Sequence, residues 1–212
     1  GYKNLSELVT LGYTEGFYNK PRVDKQQLRE HSKGLICLSA CLAGELPRLL
    51  LDGRYSEALG VIREYKSIFG DENYYIELQD HGIKEQKRIL PYLIRAAKET
   101  DTQIVATNDA HYCEKSDSYV QRVLTCIATN TKLSDNSGMQ FPTDEFYLKS
   151  EDEMKLLGFP EQAYDNTAEI ASRCNVSFTF GHTILPYFKA EGYENNYIYF
   201  EKCGFDNITV DE

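Results

Sequence analysis

Apolar positions along the chain recur at two spacings, three to four residues apart or in short unbroken runs. From 4 to 18, Leu5, Leu8, Val9, Gly12, Tyr13 and Phe17 follow the first spacing and predict a helix. Asn4, with Glu7 three residues on, has the pattern of a capping box at its start. "NKPRVD" reads as a turn, and Asp24 is placed to cap a short helix from Lys25 to His31. "GLICLS" is a short run with branched apolar residues and predicts a buried strand. "ACLAGELP" follows it, and a helical stretch runs on to Leu51, where "DG" breaks it. Ser56 to Phe69 is helical in pattern, with Gly70 at its stop. "YYIELQ" is the second predicted strand. Lys84 to Lys98 reads as a helix that Pro91 should kink or divide. "QIVAT" is the third strand. Beyond it the pattern predicts a helix over Ser118 to Ala128 and an extended "DEFYLKS". A helix over 151–157 follows, opened by a capping box of Ser150 and Glu153, and the last helix runs from Pro160 to Arg173.

Strands alternating with helices predict an α/β architecture with a mostly parallel sheet. Strands this apolar fit burial on both faces. There is no internal repeat and no low-complexity segment. Residues 193–212, "YENNYIYFEKCGFDNITVDE", lose the periodicity and are rich in Tyr and Asn, so a loosely attached tail is expected there.

A length of 212 residues allows one large domain, or a domain with an appendage, and the ordinary globular balance of apolar and charged residues lets a core be buried. The formal net charge of −10 argues against a broad electrostatic footprint on nucleic acid, while leaving room for a local basic groove. No apolar run approaches 18 residues, so no membrane-spanning helix is expected, and the start has no secretory pattern. The first residue is Gly1 rather than Met, which suggests a fragment or processed form. Six cysteines, at 37, 41, 113, 126, 174 and 203, form no C-x-x-C and no disulfide framework. Mostly buried free thiols in a reducing cytosol are expected.

In parallel α/β folds, functional side chains gather beyond the carboxyl ends of the strands. Three predicted strands end in candidate groups. The first delivers Cys41, the second Asp80 and His81 with Glu77 inside the strand, and the third Asp109 and His111. Residues two apart on an extended segment project to the same side, so Asp109 and His111 can converge on one ion. Carboxylate with imidazole suits zinc, manganese or iron, and a thiolate at Cys41 favours zinc. Plainer readings compete with each. A D-x-H pair also arises as a capping Asp beside a surface His, and a lone Cys as a small buried apolar residue. Asp80 and His81 read as polar groups of a "QDHG" turn, His182 as a turn residue and His31 as the end of a helix. Glu7, Glu15 and Glu30 read as solvated helix faces. There is no G-x-S-x-G, and no phosphate-binding glycine loop.

Five collinear stretches carry a more specific signal: "GLICLSACLAGELPRLLLDGRY", "YYIELQDHGI", "IVATNDAHY", "MQFPTDEFYLKSEDEM" and "NTAEIASRCNV". They closely resemble the bacterial DNA polymerase III alpha subunits (family C replicative polymerases), and in particular their PHP domain. The resemblance implies a partial PHP-type (β/α) barrel, incomplete at the N-terminus, with a helical C-terminal part. Its implied boundaries are 1–188 for the partial PHP domain and the start of the following region, and 189–212 for a divergent tail. It implies metal-ligand roles for Cys41, Asp109 and His111, with His81 a supporting or surface group. The family's H-x-H or H-x-D motif and its further Asp, His and Glu ligands precede the matching segment and are absent here.

For the parent protein, the resemblance implies DNA-directed DNA synthesis in chromosomal replication, a nucleotidyltransferase using DNA, dNTPs and Mg. A PHP metal site holding Zn or Mn and a 3′-5′ exonuclease activity in the parent are part of the same expectation. So are replisome partners (a sliding clamp and a proofreading subunit), a cytoplasmic location and no membrane. The isolated chain, lacking the polymerase active site, is expected to be inactive alone. Two other readings stand beside this one: a stand-alone PHP-type metal-dependent phosphoesterase, and a non-catalytic scaffold or interaction module. Polymerase-like stretches such as "FPTDEFYLKS" and the missing H-x-H argue against the phosphoesterase.

Overall fold

A computed structural model describes residues 1–135 and 140–181. Gly1–Val176 forms one compact unit, and Ser177–Glu212 a second. Of the second, residues 177–181 are described, without helix or strand. His182 and the tail from 189 lie outside the described residues.

Helices and strands alternate in the order α1 (Tyr2–Thr14), α2 (Lys25–His31), β1 (Cys37–Leu38), α3 (Glu45–Leu51), α4 (Tyr55–Phe69) and β2 (Tyr74–Leu78). They continue with α5 (Lys84–Glu99), β3 (Gln103–Ala106), a 3₁₀ turn (Lys115–Asp117), α6 (Ser118–Thr129), α7 (Glu151–Lys155) and α8 (Glu161–Arg173). The three strands form one parallel sheet in the order β1-β2-β3. The mixed α/β class and parallel pairing therefore agree with the sequence reading. Cys37 pairs with Tyr74, and Ile76 with Ile104.

The pleat sends alternate strand residues to opposite faces. Ile76, Leu78, Ile104 and Ala106 join Leu46 of α3, Ile62 of α4, Ile89 and Leu93 of α5 and Ala163 of α8 in one buried cluster. Tyr75, Glu77 and Val105 take the other face. Gly70 ends α4 at φ +92°, a conformation that costs a side-chain-free residue little.

The margin of β3 is covered by side chains. Thr107 donates its N–H to Leu78 of β2 at 3.1 Å, so by alternation the carbonyls of Ile104 and Ala106 face outward. Asn166 Nδ2 donates to the Ile104 carbonyl at 2.7 Å, and Thr167 Oγ1 to the Ala106 carbonyl at 3.2 Å. Arg173, the last residue of α8, donates to the Glu72 carbonyl at 2.8 Å, to Tyr75 Oη at 2.9 Å and to Asn73 Oδ1. On the opposite margin, Cys37 and Ser39 donate to Asn73 and Tyr75, which turns the N–H and C=O of Leu38 outward. Among the described residues no strand pairs there.

Several expectations are corrected. The first helix ends at Thr14, and its cap is Gly1, with no side-chain bond. Asn4 instead donates to the Lys33 carbonyl at 2.7 Å. Pro91 sits inside α5 without dividing it. The 151–157 helix stops at Lys155. The thiols are more open than expected: Cys41, Cys113 and Cys174 are exposed, Cys37 and Cys126 half-buried, and all five are free. The predicted caps at Asp24 and Ser150 are both present as reciprocal capping boxes.

Candidate metal-binding site

The chain leaves β3 at Ala106 and turns through Thr107, Asn108 and Asp109 beyond the carboxyl end of the sheet. Asp109 and His111, read from the sequence as a pair, do meet: His111 Nε2 lies 3.2 Å from Asp109 Oδ1, with both side chains about two-fifths exposed. A carboxylate and an imidazole this close fit two coordination positions of a divalent cation.

Cys41 does not join them. Ser39 is buried at the end of β1, but Ala40 adopts φ +65°, the left-handed region that a non-glycine residue rarely occupies. The chain swings there, and Cys41 emerges exposed. Among the described residues no three His, Cys, Asp or Glu side chains gather into a group that could hold a metal.

Asp80 and Gly82 form the turn read from "QDHG": Asp80 Oδ1 accepts the Gly82 N–H at 2.8 Å, and Gly82 takes φ +75°. His81 departs from its surface reading, being 1% exposed. Its ring lies flat on Phe146, with centroids 4.5 Å apart and planes 4° off parallel. Gln86 accepts the His81 N–H at 2.8 Å, and its Nε2 lies 3.0 Å from His81 Nδ1. Thr143 donates to the His81 carbonyl at 2.6 Å, and the Asp109 N–H points at His81 Nε2 at 3.2 Å. Burial, and then the Lys149 ammonium, hold the His81 imidazole below its ordinary pKa, against the pull of Asp109.

The segment from 141 to 148 grips the D-x-H loop from its other side. Phe146 accepts the His111 N–H at 2.7 Å, Tyr147 accepts from Asn108 Nδ2 at 3.0 Å, and Leu148 donates to the Tyr112 carbonyl at 3.0 Å. His111 also packs against Phe141, centroids 4.5 Å apart. Sequence spacing could not reveal this clasp, since its partners lie some 35 residues away.

Below the loop, polar side chains line the end of the sheet. Ser39 Oγ accepts the Glu77 N–H at 2.9 Å. Thr107 donates to Glu77 Oε1, and Gln79 Nε2 donates to Glu77 Oε1 at 2.9 Å and to Thr107 at 3.1 Å. Burial, and then the nearby Glu77 carboxylate, push the Cys37 thiol up to about 11.

Residues 1–81 match the PHP domain, so Cys41 lies inside the matched stretch and Asp109 and His111 beyond it. The DNA polymerase III subunit alpha of Treponema pallidum is 48% identical over 191 residues, 89% of this chain and 16% of the relative. That of Deinococcus radiodurans is 45% identical over 185 residues, covering 85% of the chain and 14% of the relative. That of Thermus aquaticus is 44% identical over 190 residues, covering 87% and 15%. The chain is a relative of the bacterial DNA polymerase III alpha subunits, as its sequence stretches indicate. It spans about one-sixth of the length of these relatives.

Proposed function

We propose that the chain is a segment of a bacterial DNA polymerase III alpha subunit, and that its strand ends form the metal-binding end of a partial PHP-type (β/α) barrel. Cys41, Asp109 and His111 are the proposed ligands, of zinc or manganese; the structure brings the last two together, and the assignment of Cys41 rests on the sequence resemblance. The observation that carries the metal reading is the Asp109–His111 pair, 3.2 Å apart at the carboxyl end of a parallel strand. The similarity to polymerase alpha subunits over nearly nine-tenths of the chain supports the parentage.

In that parent, the reaction is DNA-directed DNA synthesis from dNTPs with Mg, in the cytoplasm, alongside a sliding clamp and a proofreading subunit. A bound divalent ion at the PHP site supplies a Lewis acid and an activated water, the chemistry a 3′-5′ exonuclease needs. The residues of this chain do the holding. Asp109 would contribute charge and His111 a ring nitrogen, the two standing 3.2 Å apart. Because Cys41 stands apart from the pair, the isolated chain is better read as a binding or scaffold module than as a nuclease.

Elemental analysis of the purified 212-residue chain, beside His111→Ala and Cys41→Ser, tests the assignment. Near-stoichiometric zinc or manganese in the parent chain, lost in both variants, is the expected result. Metal retained in Cys41→Ser but lost in His111→Ala reduces the site to the pair alone. No metal in any of the three refutes the metal reading for this chain.

A further inference from the structure

We propose that His81 is a positioning residue for the Asp109–His111 pair, acting as the pin between the two ligand-bearing backbones and the segment that clasps them. This rests on the metal reading above for its consequence, but not for its geometry. A buried imidazole with no apparent chemistry is costly unless each of its polar atoms is used. His81 meets two separate segments, the Asp109–His111 loop and the 141–148 clasp. Its Nε2 faces the Asp109 N–H at 3.2 Å. Its carbonyl receives the Thr143 hydroxyl at 2.6 Å. Its ring lies flat on Phe146, whose carbonyl receives the His111 N–H at 2.7 Å. One side chain thus touches Asp109 directly and reaches His111 through a single residue. Gln86, at the start of α5 and 6% exposed, holds the other edge of the ring.

Hydrogen counting sharpens the inference. A neutral imidazole offers one donor and one acceptor. Three N–H groups surround His81: its own backbone N–H, the Gln86 amide and the Asp109 N–H. The bond to Asp109 forms only if Nε2 is unprotonated, which places the ring proton on Nδ1, facing Gln86. The Gln86 carboxamide must then turn its oxygen to serve that proton, giving up the His81 N–H that the oxygen accepts in the structure. The alternative tautomer keeps the Gln86 amide as it stands and releases the Asp109 N–H. The positioning role therefore requires the Nδ1–H tautomer. This is a property that simple core packing leaves free.

The test uses the 212-residue chain and two polar replacements. His81→Gln puts an amide near the place of Nε2 and can still accept from Asp109. His81→Asn reproduces the Nδ1 end and cannot. The tautomer is read by nitrogen-detected NMR of labelled histidine, the Asp109 bond by amide hydrogen exchange, and metal affinity by zinc titration against a chelator. The expected results are an Nδ1–H ring in the parent chain, a protected Asp109 amide in the parent and in His81→Gln, and an unprotected one in His81→Asn. Zinc affinity should fall about tenfold or more in His81→Asn and stay near the parent value in His81→Gln, the range seen when groups behind metal ligands are removed. An Nε2–H ring, or equal behaviour of the two variants, overturns the proposal. If the parent chain takes up no zinc, the metal reading fails, and the tautomer and exchange results still decide the role of His81. If both variants fail to fold, the tautomer of the parent chain decides it.

Discussion

Replacing Asn166 by Ala separates two physical accounts of α8, because they predict opposite signs. Asn166 is an interior helix position, and Ala is the better helix former by roughly 0.6 kcal/mol. Propensity alone therefore predicts stabilisation. The sheet predicts the reverse. Asn166 Nδ2 donates to the outward-facing carbonyl of Ile104, a residue only 7% exposed, and to Gln103 Oε1 at 3.2 Å. Leaving that carbonyl without its donor costs about 1–3 kcal/mol. The net expectation is a loss of about 1–2 kcal/mol, or a midpoint lower by about 3–6 °C for a unit of this size. Thermal and urea unfolding followed by circular dichroism measure it. Asp165→Ala, at an exposed position of the same helix, serves as control and should show the propensity gain or no change. Asn166→Asp, nearly isosteric, points an oxygen at the carbonyl and should lose at least as much as Ala. A stabilised Asn166→Ala protein would refute the edge-cover argument.

Arg173→Lys keeps the charge but not the two-headed geometry that reaches Glu72, Asn73 and Tyr75. A loss of about 1–2 kcal/mol is expected in urea unfolding, against about 2–3 kcal/mol for Arg173→Ala. Iodoacetamide at pH 8 should label the exposed Cys41, Cys113 and Cys174 within minutes and leave Cys37 largely intact, read by peptide mass mapping. Because burial holds the Cys37 thiol protonated up to about 11 while the unfolded thiol ionises near 9.0, the unfolded state sheds its proton first. Stability should therefore fall as pH rises through that window, and Cys37→Ala should flatten the alkaline limb. The Lys115 ammonium, hydrogen-bonded to Glu145, holds that carboxyl below its ordinary 4.5. Its contribution is present above that value and lost as pH falls below it, so Glu145→Gln should make the acid limb of a stability–pH profile shallower.

The legible parts of this chain are those set by near neighbours. Asp24 with Gln27, and Ser150 with Glu153, are three residues apart and cap their helices as read. Asp109 and His111 are two apart and meet. What the sequence hid depends on residues far along the chain or on a single backbone angle. Asn4 was drawn from its capping pattern by the carbonyl of Lys33, 29 residues away. Cys41 looked like the natural continuation of β1, yet the left-handed turn at Ala40 redirects it, and an Ala gives no warning of such a turn. His81, in a turn with Asp80 and Gly82, had every local mark of a surface residue. Thr143 and Phe146, more than 60 positions later, bury it.

The two margins of the sheet have different futures. On the β3 side, lengthening the sheet means evicting Asn166 and Thr167 from carbonyls they already serve, and so rebuilding the register of a whole helix. On the β1 side, a newcomer meets the outward N–H and carbonyl of Leu38 and has no described strand to displace. Adding a strand beyond β3 would therefore require coordinated change in α8, whereas beyond β1 the described residues place no such side chains on the outward groups of Leu38. Side chains of one helix thus decide how that margin of the sheet can be extended.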